Sequence, residues 1–236
     1  MIEIRGKRAL ITGASRGIGQ KITEGLAEYG CHLILHARKK EHMEETLSNI
    51  KKYDVIADVV EGDLANPENV IAIIKMVIEK YGGVDILYNN AAIMSDWQDN
   101  MWMHTQEAWE ESFQVNLYAM YYLCVGFVPG MVDRGFGRII NLTSGIDKEP
   151  QLLPYSVTKA AVNKLTSDLA SKLETGVRMN TLDPGWLKTD LGGPNAEWDV
   201  ENVLPGALAP AIINDDGPNG VEFSAIDYHV GKKKIT

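Results

Sequence analysis

Cysteine is nearly missing from this chain, with only 2 in 236 residues, Cys31 and Cys124. They lie far apart in apolar surroundings. That leaves no material for a disulfide framework or a cysteine-based metal site, and reads as two reduced core thiols. Positive charge is scarce as well: 23 Lys and Arg face 32 Asp and Glu, for a net charge of −9. This balance argues against nucleic acid and anionic membrane as primary partners, but leaves room for an anionic ligand at a locally basic site. The N-terminal stretch Met1–Gly6 lacks the apolar core of a signal peptide. Long apolar runs are also absent. The most apolar stretch, Leu117 to Val128, is shorter than the roughly 20 residues that a spanning helix needs. These absences predict a cytoplasmic protein that needs no metal. No repeat, low-complexity linker or second domain interrupts the pattern, so residues 1–236 are expected to form one domain.

What is present is an alternation of strand-like and helix-like segments. Arg8 to Thr12 is a short apolar run that ends in glycines, as a buried parallel strand does. Ile18 to Tyr29 has helical spacing, and Gly30 stops it. Further strands are predicted at His32–His36, Val55–Val60, Val84–Tyr88, Arg138–Leu142 and Val177–Leu182, with a last one at Val221–Ile226. Helices are predicted at Glu41–Lys52, from Asn66-Pro67 onward, at Thr105–Val132 and at Tyr155–Leu173. Asp199 to Ile213 has helical character opposed by Pro205 and Pro210. Repeated βα units with short loops imply an α/β fold: a Rossmann-type, doubly wound, mostly parallel sheet with helices on both faces.

Between the first strand and first helix lies Thr12-Gly13-Ala14-Ser15-Arg16-Gly17-Ile18-Gly19. Glycines there permit a tight turn and a close phosphate, and the helix start offers free N–H groups to a pyrophosphate. The spacing Gly-x-x-x-Gly-x-Gly resembles the short-chain dehydrogenase/reductase family, and other segments match in order. Asn89-Asn90-Ala91-Ala92 follows the fourth strand, with Ala92 where the family has glycine. Asn116, Ser144 and the Tyr155-x-x-x-Lys159 pair match the family's catalytic residues, and Pro184-Gly185-x-x-x-Thr189 matches its nicotinamide-end segment. Singly, each is better read as a surface pair, a turn residue or a helix asparagine. Their joint, ordered occurrence favours catalysis.

The resemblance implies an oxidoreductase that moves hydride between nicotinamide and a carbonyl or alcohol. Tyr155 would be the acid or base, Ser144 would hydrogen-bond the reacting oxygen, Lys159 would hold the nicotinamide ribose, and Asn116 would bind a water that links Lys159 to solvent. Because the loop from Ser144 to Tyr155 is short, Thr143 is the alternative hydroxyl. Tyr155 and Lys159 share a helix face, and an adjacent ammonium together with an oxidised nicotinamide would lower the phenol pKa. For the cofactor, the resemblance implicates Gly13, Ser15, Arg16, Gly17, Ile18, Gly19, Asn90, Ala91, Pro184, Gly185, Leu187 and Thr189, with Asp63 and Leu64 bracketing adenine. It also implies a homodimer or homotetramer that buries the helices around Thr105–Val132 and Tyr155–Leu173.

At the end of the second strand His36-Ala37-Arg38-Lys39-Lys40 has no carboxylate to bind a ribose 2′-hydroxyl. It carries three consecutive cations instead, with Arg16 nearby, so NADP(H) is expected with Arg16 and Arg38 on the 2′-phosphate. Met94, Trp97, Ile146, Trp186 and Leu191 are the candidate substrate residues and suit an apolar or aromatic carbonyl compound. Met94 to Met103 is equally compatible with core filling or a subunit contact. The stretch Pro184–Pro194 looks like carbonyl reductases of the family. A 3-oxoacyl thioester reductase is the alternative, weakened by the lack of a basic patch beyond Arg134 and Arg138. A non-catalytic NADP(H) redox sensor is disfavoured because Tyr155 and Lys159 are both present. The length excludes an epimerase with a C-terminal substrate domain.

Overall fold

The computed structural model describes residues 1–146, 148–174 and 176–234. Seven parallel strands form one sheet in the order β3-β2-β1-β4-β5-β6-β9: β1 (Arg8–Ile11), β2 (His32–Ala37), β3 (Ala57–Glu61), β4 (Ile86–Asn89), β5 (Gly137–Leu142), β6 (Val177–Asp183) and β9 (Glu222–Ser224). Chain order reverses between β1 and β4, and that crevice lies at the carboxyl ends of the strands, where such sheets bind ligands. The strands are apolar on both sides because both faces are covered. One face packs α1 (Gly17–Glu28) and α2 (Glu44–Ile50), with Ile22, Leu26 and Met43 in its core. The other packs α3 (Pro67–Tyr81), α4 (Gln106–Phe113), α5 (Ala119–Asp133) and α6 (Leu153–Ala170), through residues such as Ile73, Phe127 and Val162.

Local chemistry sets the helix ends. Asn66 caps α3, its side chain accepting from the Glu68 and Asn69 N–H groups, and Pro67 occupies the first turn, where its missing donor costs nothing. The helix expected at Glu41–Lys52 opens as a 3₁₀ turn, Lys40–Met43, before α2. Over Asp199–Ile213 the prolines prevail, and two 3₁₀ turns, Val200–Val203 and Gly206–Ala211, replace an α-helix. The last strand is shorter than its apolar run, since the chain turns into α7 (Ala225–His229) directly after Ser224. A two-stranded parallel ribbon, β7 (Leu187–Lys188) and β8 (Trp198–Asp199), has no counterpart in the sequence pattern.

From Gln106 to Asp133 the chain is one helix of 28 residues, with a π turn at Gln114–Tyr118 between α4 and α5. By length and composition it could cross a bilayer. In this fold it is a core helix, with Leu123, Phe127 and Met131 buried against the sheet. Cys31 and Cys124 are both buried and free, and burial pushes both thiols up to about 12.

Candidate active site

The glycine loop leaves β1 and enters α1 at the crevice. Gly13 and Gly17 have φ of 64° and 57°, a left-handed conformation that side chains disfavour. A Cβ on Gly13 would sit 3.0 Å from Ala91 Cα, and one on Gly19 would fall on the Gly13 carbonyl oxygen. Thr12 accepts from the Asn90 and Ala91 N–H groups at 2.9 and 3.0 Å and donates to the Tyr88 carbonyl. The Asn90 amide donates to the Thr12 and Gly13 carbonyls at 2.8 and 3.1 Å. Arg16 gives α1 no side-chain cap, so the first-turn N–H groups at Gly17, Ile18 and Gly19 remain available to a phosphate. The cradle therefore fits a pyrophosphate by shape and by donors.

Beside this cradle, Arg38 and Lys39 stand exposed beyond β2, and no carboxylate pairs with Arg38 among the described residues. Arg16 has a partner: its guanidinium lies 2.6 Å from Asp190, with both side chains largely exposed. Glu61, from β3, accepts the Lys40 N–H at 2.9 Å, so a carboxylate does stand near the cations. The loop itself contains none, and only strand pairing brings this one there. Asp63 accepts the Ala65 N–H and is exposed, while Leu64 is buried.

The chemical centre lies where β5, β6 and α6 meet. Tyr155 and Lys159, on α6, are 6% and 4% exposed, so neither is a surface residue. Burial raises the Tyr155 phenol above its usual pKa, a Ser144 hydrogen bond draws it back, and the Asp183 charge pushes it up again. Thr143 turns away and donates to the Lys159 carbonyl, so Ser144 is the hydroxyl that meets the phenol. Lys159 Nζ donates to the Leu142 carbonyl at 2.8 Å, and burial lowers its pKa to about 8. In this arrangement the protein itself favours a protonated phenol, because burial and the Asp183 charge raise its pKa more than the Ser144 hydrogen bond lowers it.

Asn116 lies in the π turn and is buried. Its carboxamide pairs with both backbone groups of Ile93 at 2.9 Å and donates to Thr158 Oγ1 at 3.1 Å. The asparagine side chain thus ties the loop after β4 to α6. At the start of the Pro184 segment, Asp183 Oδ1 accepts the Gly145 and Gly185 N–H groups at 3.2 and 3.0 Å, bracing the serine loop against the Pro184-Gly185 turn. Thr189 packs against Gly17, closing the cleft wall above the glycine loop. Met94, Trp97, Trp186 and Leu191 are exposed at the ends of loops, and Ile146 is half-buried.

The profile of the short chain dehydrogenase family matches residues 7–200. The chain is a member of the short-chain dehydrogenase/reductase family. It is 33% identical to an uncharacterized oxidoreductase of Staphylococcus saprophyticus over 90% of this chain and 92% of that protein. It is 36% identical to the 3-oxoacyl-[acyl-carrier-protein] reductase FabG of Vibrio cholerae, over 80% of this chain and 77% of that one. A 3-oxoacyl (acyl-carrier-protein) reductase from Agrobacterium tumefaciens, solved with NADP bound, superposes with a TM-score of 0.83 at 26% identity, covering 94% of this chain and 93% of that one. As a short-chain dehydrogenase/reductase, the chain is an oxidoreductase of CH–OH and C=O groups that uses a nicotinamide cofactor and a small-molecule substrate.

Within this family member, Ala92 is accommodated without strain, since no non-glycine among the described residues has positive φ. Sequence reading missed three braces of the site: Thr12, Asp183 and Asp190. Asp183 and Asp190 flank the Pro-Gly segment that was recognised, which was the available signal. Nothing local marks Thr12, because its partners lie on β4 and just after it.

Proposed function

We propose that this chain is an NADP(H)-dependent carbonyl reductase for apolar or aromatic ketones or aldehydes, acting as a cytoplasmic homodimer or homotetramer. The observation that carries the reading is the burial of Tyr155 beside Ser144, which raises the phenol above its ordinary pKa. A phenol held protonated is a proton donor, which suits reduction. When bound, the reduced nicotinamide supplies hydride to the carbonyl carbon. Tyr155 Oη then gives its proton to the carbonyl oxygen, and Ser144 donates a hydrogen bond to that oxygen as charge develops. Lys159, its pKa lowered to about 8 by burial, binds the ribose. Gly13, Ser15, Gly17, Ile18 and Gly19 receive the pyrophosphate, with Asn90 and Ala91 bracing their loop.

Arg38, which pairs with no carboxylate among the described residues, supports the 2′-phosphate reading, and Arg16 joins it on leaving Asp190. Asp63 and Leu64 flank the adenine, and Pro184, Gly185, Leu187 and Thr189 line the nicotinamide end. Met94, Trp97, Ile146, Trp186 and Leu191 form the substrate mouth, an apolar surface suited to an apolar carbonyl compound. Exposed Tyr118, Tyr121, Tyr122 and Val125 on one helix support self-association.

The FabG likeness favours a second reading, reduction of a 3-oxoacyl thioester on an acidic carrier. Against it, Arg134 is spent on the Gly82 and Val84 carbonyls and Asp85, and Arg138 is fully buried on Asp215. A screen of ketones, aldehydes and 3-oxoacyl thioesters that follows NADPH absorbance separates the two. Turnover of free ketones or aldehydes supports the first reading, and turnover of thioesters alone replaces it with the second.

A further inference from the structure

His36 lies near the end of β2, 2% exposed, with Val60 of β3 as its register partner. Its imidazole spans two loops. Nδ1 accepts the Gly13 N–H at 3.3 Å, and Nε2 is 3.0 Å from the Gly62 carbonyl. Its own carbonyl accepts the Ala14 N–H at 3.0 Å, so one residue holds two consecutive amides of the glycine loop. Gly62 is also bound to the Ala37 carbonyl, and the next residues are Asp63 and Leu64.

The partners dictate the tautomer. A backbone carbonyl only accepts, so Nε2 must carry the hydrogen. A backbone N–H only donates, so Nδ1 must be bare. A second proton, on Nδ1, would face the Gly13 N–H and break the bridge.

We propose that His36 is a positioning residue of the cofactor site: its neutral imidazole ties the glycine loop to the Gly62–Leu64 segment, and cofactor binding requires that tie. The inference rests on the reading that these two loops receive the adenosine half of the cofactor. Its corollary is competition between cofactor and ring proton. Burial lowers the imidazole pKa, opposed by the Gly62 hydrogen bond and the Asp63 charge. Of the charged groups on neighbouring segments, Glu61 on β3 is committed to the Lys40 N–H, Arg16 on the glycine loop is paired with Asp190, and Arg38 and Lys39 stand exposed just beyond β2. The helices α1 and α2 meet the loop through the uncharged Gln20 and Thr46.

The test measures NADPH and NADH dissociation constants by fluorescence for the wild type, His36→Leu and His36→Asn. An asparagine Oδ1 can replace Nδ1 as acceptor for Gly13 without titrating. The leucine variant is expected to bind both cofactors about five- to tenfold more weakly, the loss of neutral hydrogen bonds. The asparagine variant keeps the Gly13 bond but cannot reach the Gly62 carbonyl, so it should recover only part of that affinity. In the wild type, ¹⁵N NMR of the imidazole should report the Nε2–H tautomer, with a titration midpoint that falls when NADH is added. The NMR stands even if the leucine variant fails to fold. Unchanged affinity in a folded leucine variant, or a midpoint unmoved by NADH, overturns the proposal. If the wild type binds neither cofactor, the cofactor reading itself has failed. Equal NADPH and NADH affinities sink only the phosphate reading, because the His36 effect is read in the NADH arm as well.

Discussion

Around the glycine loop, almost every contact is a short hydrogen bond between backbone and a small or buried side chain: Thr12 to Ala91, Asn90 to Gly13, His36 to Gly62. Around the proposed substrate mouth, the side chains are large, apolar and exposed. Trp186 is 57% exposed and held by one indole bond to the Gly192 carbonyl, and Trp97 is 55% exposed with one bond to Asp99. A pyrophosphate is the same in every turnover and can be met by backbone donors whose positions are over-determined. A substrate is recognised by apolar area, which is non-directional and tolerates loosely tethered loops. The contrast predicts that damage at one end of the cleft leaves the other end working.

The largest expected effect lies between the two ends. Tyr155→Phe removes only a hydroxyl, so turnover should fall by roughly 10²–10⁴-fold while cofactor affinity stays within about twofold. Parallel kinetics and fluorescence titration read both. Retained turnover would move the acid elsewhere, and a matching loss of affinity would erase the boundary between the ends.

Arg38→Ala probes the adenosine end alone. It should weaken NADPH binding by roughly 1.5–3 kcal/mol, one charge-assisted phosphate contact, and leave NADH unchanged. Equal losses for both cofactors in the titrations would remove the guanidinium from the phosphate.

Lys159 offers a pH signature. Its folded pKa is lowered to about 8 from 10.5, so between those values the unfolded chain binds more protons and stability rises with pH. Below about 8 both states are charged and the full cost of burying the ammonium is present. Lys159→Met should flatten that rise, by on the order of 2 kcal/mol, in urea melts taken across the window. An identical slope in the variant would mean that Lys159 titrates normally.

The smallest effect is expected at the mouth. Trp186→Ala should raise KM for a bulky aromatic substrate by about five- to tenfold through lost apolar contact, with kcat nearly unchanged and cofactor affinity untouched. A kcat collapse would instead place the indole in the chemistry.

Much of the fold was legible because its signals are local. Apolar runs bounded by glycine mark the buried strands, Asn66-Pro67 announces α3, and the ordered motifs place Ser144 just after β5 and Tyr155 and Lys159 on α6. The ribbon β7–β8 was not legible, since two residues per strand carry no periodicity. The π turn at Asn116 was hidden inside an uninterrupted helical pattern.

Sequence by itself determined the alternating units, the glycine positions that only glycine can fill, and the spacing of the tyrosine and lysine, because each depends on neighbours within one turn. Tertiary structure decided which hydroxyl meets Tyr155, that burial raises the phenol's pKa, that Asp190 holds Arg16, and that His36 joins two loops. Each of these depends on burial or on a partner from a distant strand, and desolvation and charge act through space rather than along the chain.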